Sequence, residues 1–218
     1  MTSHEDYLKR KAMNSDPIRL DPLQEKFKLI WNDVTVPAYR HIRLKNLQPN
    51  EDKCITSIKF QEYVLKTVRE NPLKGFVFFG PSGCGKTTIM TGLKRAAVND
   101  CLRNGNIIYS TTMPDWVIGM QNYFRGGIIP DFQGGKAAMA SNNGHVAYFF
   151  IDEFDKVLDN NLIQIHVTKL IQDIFDGLGI LSLTSNRTLE ELRTQFGDHI
   201  VRRIEDNCEV IDYFKEMQ

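Results

Sequence analysis

The sequence predicts an α/β fold in which a five-stranded parallel sheet is covered by helices on both faces. Five short apolar runs alternate for the most part with stretches whose apolar residues recur at helical spacing. Strands joined through helices pair in parallel, and continuously apolar strands are typical of a sheet buried on both sides. A glycine-rich turn between the first strand and the helix after it is the third observation. The predicted strands are 75–79 (GFVFF), 106–112 (NIIYSTT), 146–152 (VAYFFID), 180–186 (ILSLTSN) and 209–214 (EVIDYF).

Length and composition limit the domain organisation. A chain of 218 residues is long enough for one sizeable core with a small appendage, but too short for two ordinary domains. We therefore divide it into an N-terminal extension, residues 1–45, and a main domain, residues 46–218. With 27 basic and 27 acidic residues the formal net charge is zero, so any contact with nucleic acid has to be local.

The sequence predicts neither a membrane segment nor a secretory signal. Its longest apolar runs, such as VAYFF, are too short to span a bilayer, and the N-terminal MTSHEDYLKRK has no apolar core. The cysteines show no Cys-x-x-Cys spacing, so we expect a cytoplasmic protein with free thiols and no structural metal. They are Cys54, Cys84, Cys101 and Cys208.

Two helices are predicted before the first strand, over residues 21–34 and 57–70. Asp21 is positioned to cap the first of them, and Pro22 falls in its first turn. The apolar face of this helix either packs on the main domain or docks a partner protein, and the sequence leaves both open. That face consists of Leu23, Phe27, Ile30 and Trp31.

The segment GPSGCGKTT follows the first strand and opens a helix, and it matches the phosphate-binding pattern Gly-x-x-x-x-Gly-Lys-Thr in full. Glycines allow backbone N–H groups of residues 82–87 to approach a β-phosphate, and the helix directs its positive end at the same anion. Lys86 is expected to bridge the β- and γ-phosphates, and Thr87 to bind Mg²⁺. Cys84 stands at a variable position and is expected to contribute its backbone. The predicted nucleotide-binding residues are Gly80, Pro81, Ser82, Gly83, Cys84, Gly85, Lys86, Thr87 and Thr88.

Three further helices are predicted, over residues 86–105, 161–177 and 188–197. Between the second and third strands, residues 123–144 contain two Gly-Gly pairs and little periodicity. We interpret that segment as a loop.

An acidic pair ends the third predicted strand, in the segment YFFIDEFDKV. Asp152 can hold Mg²⁺ at the carboxyl end of the strand, and Glu153 can accept a proton from, or orient, the water that attacks the γ-phosphate. A water-polarising glutamate favours hydrolysis over transfer to an acceptor. Asp155, farther along, is expected to be a solvated residue at a helix start rather than a third catalytic acid.

The order GPSGCGKT, FFIDE, LTSN and FGDHIVRRI resembles the AAA+ ATPases of the DnaC/IstB type, which are bacterial helicase loaders and transposition helper ATPases. The resemblance covers about residues 35–213 and starts with VPAYRHIRLKNL. It implies a P-loop NTPase (AAA+) three-layer sandwich with a five-stranded parallel sheet. It also implies an Mg²⁺-dependent ATPase that converts ATP and water to ADP and phosphate.

The resemblance assigns Asn186 as a polar sensor at the tip of the strand beside the phosphate-binding one. Its amide would contact the γ-phosphate or the attacking water. The residues alone leave a second interpretation open, because Thr188 and Glu191 form a capping-box pattern in which Asn186 would only shape the turn.

The resemblance also assigns Arg203 as an arginine finger that acts on the ATP of a neighbouring subunit. Such a role requires a homo-oligomer with head-to-tail contacts and ATP at the subunit interface. The adjacent Arg202 is expected to form surface ion pairs with Asp198, Glu205 or Asp206. The sequence ends soon after the fifth strand, so we expect the C-terminal lid of AAA+ proteins to be reduced or absent.

The partners implied are DNA and either a replicative helicase or a transposase. Two other functions remain open: an adaptor that binds ATP as a switch without hydrolysing it, and a small P-loop DNA helicase of a mobile element. Glu153 argues against the first, and the short length argues against the second. Candidate DNA contacts are Arg40, Arg43, Lys45, Arg125 and Lys136.

Overall fold

A computed structural model of the chain describes residues 21–50, 56–126, 144–157 and 161–217. Its centre is a sheet of five strands in the order β2-β3-β4-β1-β5, and every neighbouring pair is parallel. This confirms the predicted fold class. The strands are β1 (Phe76–Phe79), β2 (Ile107–Thr112), β3 (Ala147–Asp152), β4 (Ile180–Ser185) and β5 (Glu209–Asp212).

The helices predicted from apolar spacing are all present. They are α1 (Pro22–Val34), α2 (Ile58–Glu70), α3 (Lys86–Asn104), α5 (Asn161–Asp176) and α6 (Leu189–Phe196). Short 3₁₀ turns cover Pro37–Tyr39, Leu44–Asn46, Phe154–Lys156 and Lys215–Met217. The caps follow the sequence: the Asp21 side chain accepts from the N–H of Leu23, and Ser57 accepts from that of Phe60.

The described residues contain two more helices, α4 (Met113–Phe124) and α7 (Asp198–Asn207). The sequence did not predict α4, which begins directly at the end of β2. Thr112 caps it by accepting from the N–H of Asp115, and a proline occupies its first turn. The glycine-rich loop predicted over 123–144 lies mostly outside the described residues, as does Lys136.

Side chains alternate between two cores along each strand. On β1, Phe76 and Phe78 face a core shared with α2 and α3, whereas Val77 and Phe79 face a core shared with α4, α5, α6 and α7. All four residues are fully buried. Truncating a phenylalanine in such a position to alanine typically costs about 3–5 kcal/mol. The strand that delivers the glycine-rich turn is therefore anchored on both faces.

Helix α1 packs on α3 rather than standing free. Trp31 and Val34 are buried against Val98, and the indole N–H of Trp31 donates to the carbonyl of Arg40 at 3.1 Å. Of the two interpretations that the sequence left open for this face, packing on the main domain accounts for Trp31. Among the described helices, none is long and apolar enough to cross a membrane.

Candidate nucleotide-binding site

The loop between β1 and α3 turns on glycines. Gly83 and Gly85 have φ values of 86° and 92°, a backbone conformation that other residues adopt only with strain. At Gly80 a Cβ atom would lie 2.6 Å from Cβ of Tyr213, so a side chain does not fit there. Helix α3 begins at Lys86 immediately after the loop. The loop therefore presents backbone N–H groups and a helix N-terminus to one point.

A cleft of about 380 Å³ opens at this loop. Since β1, β3 and β4 are parallel and adjacent, their carboxyl ends meet at the same edge of the sheet. The loop residues from Ser82 to Thr88 therefore line the cleft together with residues from the ends of β3 and β4. Residues at the ends of β3 and β4 are Asp152, Glu153, Thr184 and Asn186, and Tyr39 from the segment before α2 also lines the cleft.

Lys86 lies at the centre of the cleft with 6% of its surface exposed. Its ammonium donates to the carbonyls of Gly80 at 2.6 Å and Pro81 at 2.7 Å, and to Oδ1 of Asn186 at 3.0 Å. These acceptors are neutral, and no carboxylate among the described residues forms an ion pair with this lysine. The Lys86 ammonium is thus held by neutral oxygens that a phosphate can replace, as a phosphate-binding position requires.

Asp152 is held by two threonines. Thr87 Oγ1 lies 3.2 Å from Asp152 Oδ1, Thr184 Oγ1 donates to the same oxygen, and the N–H of Glu153 donates to it at 3.1 Å. These contacts occupy Oδ1 and leave Oδ2 for other ligands. Thr184 was not among the predicted site residues, although a polar residue at the end of an apolar strand was a usable signal.

The oxygens of Thr87 and Asp152 suit Mg²⁺, which prefers hard oxygen ligands and usually takes one or two protein carboxylates with phosphates and water. Within the described part of the chain no group of three or more His, Cys, Asp and Glu residues could hold a metal by itself. With Thr87 and Asp152 as protein ligands, the donor set fits an Mg²⁺ ion whose other ligands are phosphate oxygens and water.

Glu153 has a left-handed backbone, with φ 55° and ψ 45°. Its side chain is exposed at the rim of the cleft, and the turn leads directly into the 3₁₀ helix Phe154–Lys156. A non-glycine residue in this conformation costs about 1–2 kcal/mol. Such strain is typical of positions that orient a functional side chain.

Asp155 is not the solvated residue that the sequence predicted. It is 6% exposed, and its Oδ1 accepts the backbone N–H of Asn186 at 2.8 Å. The Asn186 side-chain amide lies 3.5 Å from both Asp155 oxygens. The prediction was wrong because the 3₁₀ turn folds Asp155 back under the end of β4.

Asn186 consequently bridges Asp155 and Lys86. Its Nδ2 faces the Asp155 carboxylate, and its Oδ1 accepts from the Lys86 ammonium. The capping box of Thr188 and Glu191 is also present, as the start of α6. The capping box and the Asn186 bridge therefore coexist, and Asn186 contacts the cleft in addition to shaping the turn.

Lys94 is a second buried lysine on α3 that the sequence analysis did not single out. Only 8% of its surface is exposed. Burial lowers its pKa to about 8 from 10.5, and the charge of Asp152 opposes that change. The cationic side chain is thus held near the acidic end of β3 at an energetic cost.

A second cavity, of about 340 Å³, adjoins the loop on its other side. Leu47, Val64, Leu65 and Tyr213 line it together with Cys84. Cys84 is 2% exposed, so its side chain packs here and does not contribute its backbone alone. A largely apolar cavity beside a phosphate loop can accept the base of a nucleotide. Cys101 and Cys208 are also buried free thiols, and Cys54 lies outside the described residues.

The structure does not bring Arg203 to this cleft. Its guanidinium pairs with Asp176 at 2.7 Å. Asp176 precedes β4 and Arg203 precedes β5, so the pair lies toward the amino-terminal edge of the sheet, opposite the phosphate loop. Arg202 pairs with Asp198 at 2.7 Å, which confirms the predicted surface pair.

Comparisons with known proteins were made at the level of sequence and of structure. No family model matches the sequence, and no curated protein matches it. The chain is similar to the DnaC helicase loader, at 18% identity over 81% of this chain and 99% of that one, with a TM-score of 0.60. It is also similar to AMPPCP-bound DnaA from Aquifex aeolicus, at 16% identity over 81% of this chain and 50% of that one, with a TM-score of 0.58.

A structure of the replication initiator DnaA bound to AMPPCP and single-stranded DNA is similar at 18% identity, again over 81% of this chain and 50% of that one, with a TM-score of 0.56. The chain has the fold of the DnaC and DnaA structures. This confirms the fold predicted from the motif order. The chain spans about half the length of the DnaA structures and nearly the whole of the DnaC structure.

Proposed function

We propose that the protein binds and hydrolyses ATP as an AAA+ ATPase that acts on DNA. The observation that carries this proposal is the meeting of Lys86, Thr87, Asp152, Glu153 and Asn186 in one cleft at the carboxyl edge of the sheet. Three separate segments supply these side chains, and each supplies the type of group that phosphoryl transfer to water requires. The AMPPCP-bound DnaA structure shows that this fold accommodates an ATP analogue in that protein.

The phosphates would lie at the N-terminus of α3. There the loop N–H groups and Lys86 neutralise their charge, and the nucleotide oxygens replace the neutral acceptors that Lys86 now contacts. Bound Mg²⁺ would neutralise part of the phosphate charge, and Thr87 and Asp152 are the residues that would hold it. Thr184 keeps the Asp152 carboxylate in the rotamer in which Oδ2 is available.

Glu153 is the base for the attacking water. Its exposed carboxylate at the cleft rim can take the proton, and the left-handed backbone fixes the direction in which the side chain leaves the strand end. Asn186 lies where it can contact the γ-phosphate or the water. Since Asp155 accepts both the backbone and the side-chain N–H groups of Asn186, Oδ1 of the amide is directed at the phosphate side.

Arg203 would complete the site from a neighbouring subunit. The nucleotide cleft of the same subunit lies at the opposite edge of the sheet. The position of Arg203 is therefore inconsistent with a role in the site of its own subunit. Within the part of the chain that the structure describes, Asp176 is the one ion-pair partner of Arg203. The arginine can be redirected at little cost, because an exposed ion pair contributes about 0–1 kcal/mol. An arginine finger accelerates phosphoryl transfer by about 10³–10⁵. A head-to-tail assembly follows from this role.

Within this proposal the protein supports DNA replication as a helicase loader, or transposition as a helper ATPase. The DnaC structure is described as that of a helicase loader, and it matches over nearly its whole length. This favours the first role. A direct binding assay with a purified hexameric replicative helicase and with a transposase distinguishes them.

Phosphate release from Mg²⁺-ATP tests the hydrolysis. The wild type should turn over ATP, and chelation of Mg²⁺ should stop it. Lys86→Ala should lose both binding and turnover, whereas Glu153→Gln should keep ATP binding and lose turnover, since only the base is removed. An ATP-binding wild type whose turnover equals that of Glu153→Gln would contradict hydrolysis and leave an ATP-dependent switch.

A further inference from the structure

A groove of about 1120 Å³ runs between α1 and α3, apart from the nucleotide cleft. Its charged lining residues are all cationic, and none of the described residues that line it is acidic. In a chain with equal numbers of basic and acidic residues, this is a pronounced local excess of positive charge. The cations are Lys28, Arg40, Arg43, Arg95 and Arg103.

Aromatic rings hold Arg95 in place. Its guanidinium lies 4.8 Å from the ring centroid of Phe27 and 5.1 Å from that of Trp31, and NH1 lies 3.4 Å from the carbonyl of Arg40. Arg40 in turn donates to the backbone carbonyls of Asn32 at 3.1 Å and of the neighbouring Thr35 at 3.2 Å. Both guanidinium groups are therefore fixed before any ligand binds.

None of the described residues that line the groove is acidic, although the carboxylate of Asp100, outside the lining, interacts with Arg103. Burial and the nearby charge of Arg43 both lower the pKa of Arg95, so the two arginines repel each other across the groove. Lys28, Arg43 and Arg103 are exposed. A bound polyanion would remove the repulsion, and planar guanidinium groups match the geometry of phosphate oxygens.

We propose that this groove binds the phosphodiester backbone of a nucleic acid. The proposal deepens the proposed function, since it names where DNA would be held, and it rests on that function only for DNA as the biological ligand. Neutral amides of Gln24, Asn32 and Asn99 also line the groove, and amides and arginines are the common donors to phosphate and sugar oxygens.

A protein partner fits the groove less well. Protein interfaces are usually anchored by an exposed aromatic side chain in a pocket. Here Trp31 is only 4% exposed, and Arg95 covers the faces of both aromatic rings. A ligand in the groove meets five cations and three amides beside the aliphatic Leu23 and Leu102, and the aromatic rings are covered by Arg95. This balance of groups favours a phosphate chain over an apolar segment.

Fluorescence anisotropy with labelled oligothymidylate tests the proposal on the full chain. The groove variant is Lys28→Glu/Arg43→Glu, and the matched control is Lys26→Glu/Lys59→Glu. All four residues are exposed, and Lys26 and Lys59 do not line the groove. Both variants change the net charge equally, so a difference between them reports position rather than total charge.

The groove variant should bind the strand about tenfold or more weakly at moderate salt, and the control should bind within about twofold of the wild type. The slope of log K against log salt should be less negative by about 1.4 in the groove variant, since each single-strand phosphate contact contributes about 0.7. Equal weakening of both variants would overturn the proposal, as would no binding by the wild type at low salt.

Competition identifies the ligand. Single-stranded DNA, single-stranded RNA and duplex DNA should each displace the probe, and the strongest competitor identifies the class of nucleic acid that the groove binds. Polyglutamate should not compete. Equal competition by polyglutamate would overturn the proposal in favour of an acidic protein segment. A labelled ATP analogue should bind wild type and groove variant alike. If the wild type binds the strand but no ATP, the proposed function fails while the groove assignment stands.

Discussion

Replacing Lys94 by methionine should stabilise the folded protein, although a lysine–aspartate attraction is lost. Burial lowers the pKa of Lys94 to about 8 from 10.5, with the charge of Asp152 acting in the opposite direction. At neutral pH, folding therefore places a charged ammonium where only 8% of the residue is exposed. The difference between the folded and unfolded pKa values corresponds to about 3 kcal/mol.

The sign of the pH dependence follows from the protons bound. Between pH 8 and 10.5 the unfolded chain keeps the Lys94 proton and the folded chain has lost it. Lys94 therefore makes the free energy of unfolding rise with pH in that window. The Lys94→Met variant should be more stable than the wild type by about 3 kcal/mol at pH 7, and this advantage should shrink to near zero as the pH approaches 10.5.

Urea unfolding of both proteins at several pH values measures this difference. Each comparison is made at one pH, because burial also raises the pKa of the Cys101 and Cys208 thiols to about 12, and their titration lowers the stability of both proteins above pH 9. Lys26→Met, at an exposed position on α1, is the control and should change stability by less than about 0.5 kcal/mol. A Lys94→Met variant that is less stable than the wild type at pH 7 would refute the reasoning, since Asp152 would then compensate the buried charge.

Two further changes follow from the geometry. Asp155→Ala should lower kcat by about 10²-fold with little change in ATP affinity, because Asn186 loses its hydrogen-bond acceptor. Asp155→Asn should recover part of the lost kcat, and equal kcat in the wild type and both variants would contradict the bridge by Asn186. Leu178, with φ 57° and 75% of its surface exposed, should gain roughly 0.5–1 kcal/mol in unfolding free energy on replacement by glycine. The same replacement at Leu29, exposed on helix α1, should instead cost about 1 kcal/mol, and a loss at both positions in thermal unfolding would show that backbone strain at Leu178 is absent.

The parts of the fold that the sequence predicts are those set by local patterns. Phe76 to Phe79 form a continuous apolar run before a glycine-rich turn, and such a run is typical of a strand buried on both faces. The phosphate loop is equally local, because its glycines, Lys86 and Thr87 are contiguous and their geometry follows from their order. Helix α4 has the same start signals as α1, a capping Thr112 and a proline in its first turn, but it was not predicted because it begins at Met113 with no break after β2.

Contacts between distant segments were not accessible to the same reasoning. Asp155 reads as a surface acid by its neighbours in the sequence, and only the packing of its turn under β4 buries it beside Asn186. Arg95 carried no signal as a groove residue, since the aromatic rings that hold it belong to α1. The charge of Lys94 likewise conflicts with its buried position, so pattern alone would place it at the surface.

ATP turnover by mixed subunits tests most directly the claim that a complete hydrolytic site forms between neighbouring copies. Arg203→Ala should bind ATP and lose most turnover, Lys86→Ala should be inactive, and Arg202→Ala, which loses only the surface pair with Asp198, should behave as the wild type. Mixing Arg203→Ala with Lys86→Ala should restore part of the activity, because one variant keeps an intact cleft and the other supplies the arginine. The claim would be contradicted if Arg203→Ala alone turned over ATP normally and the mixture were no more active than the sum of its two components.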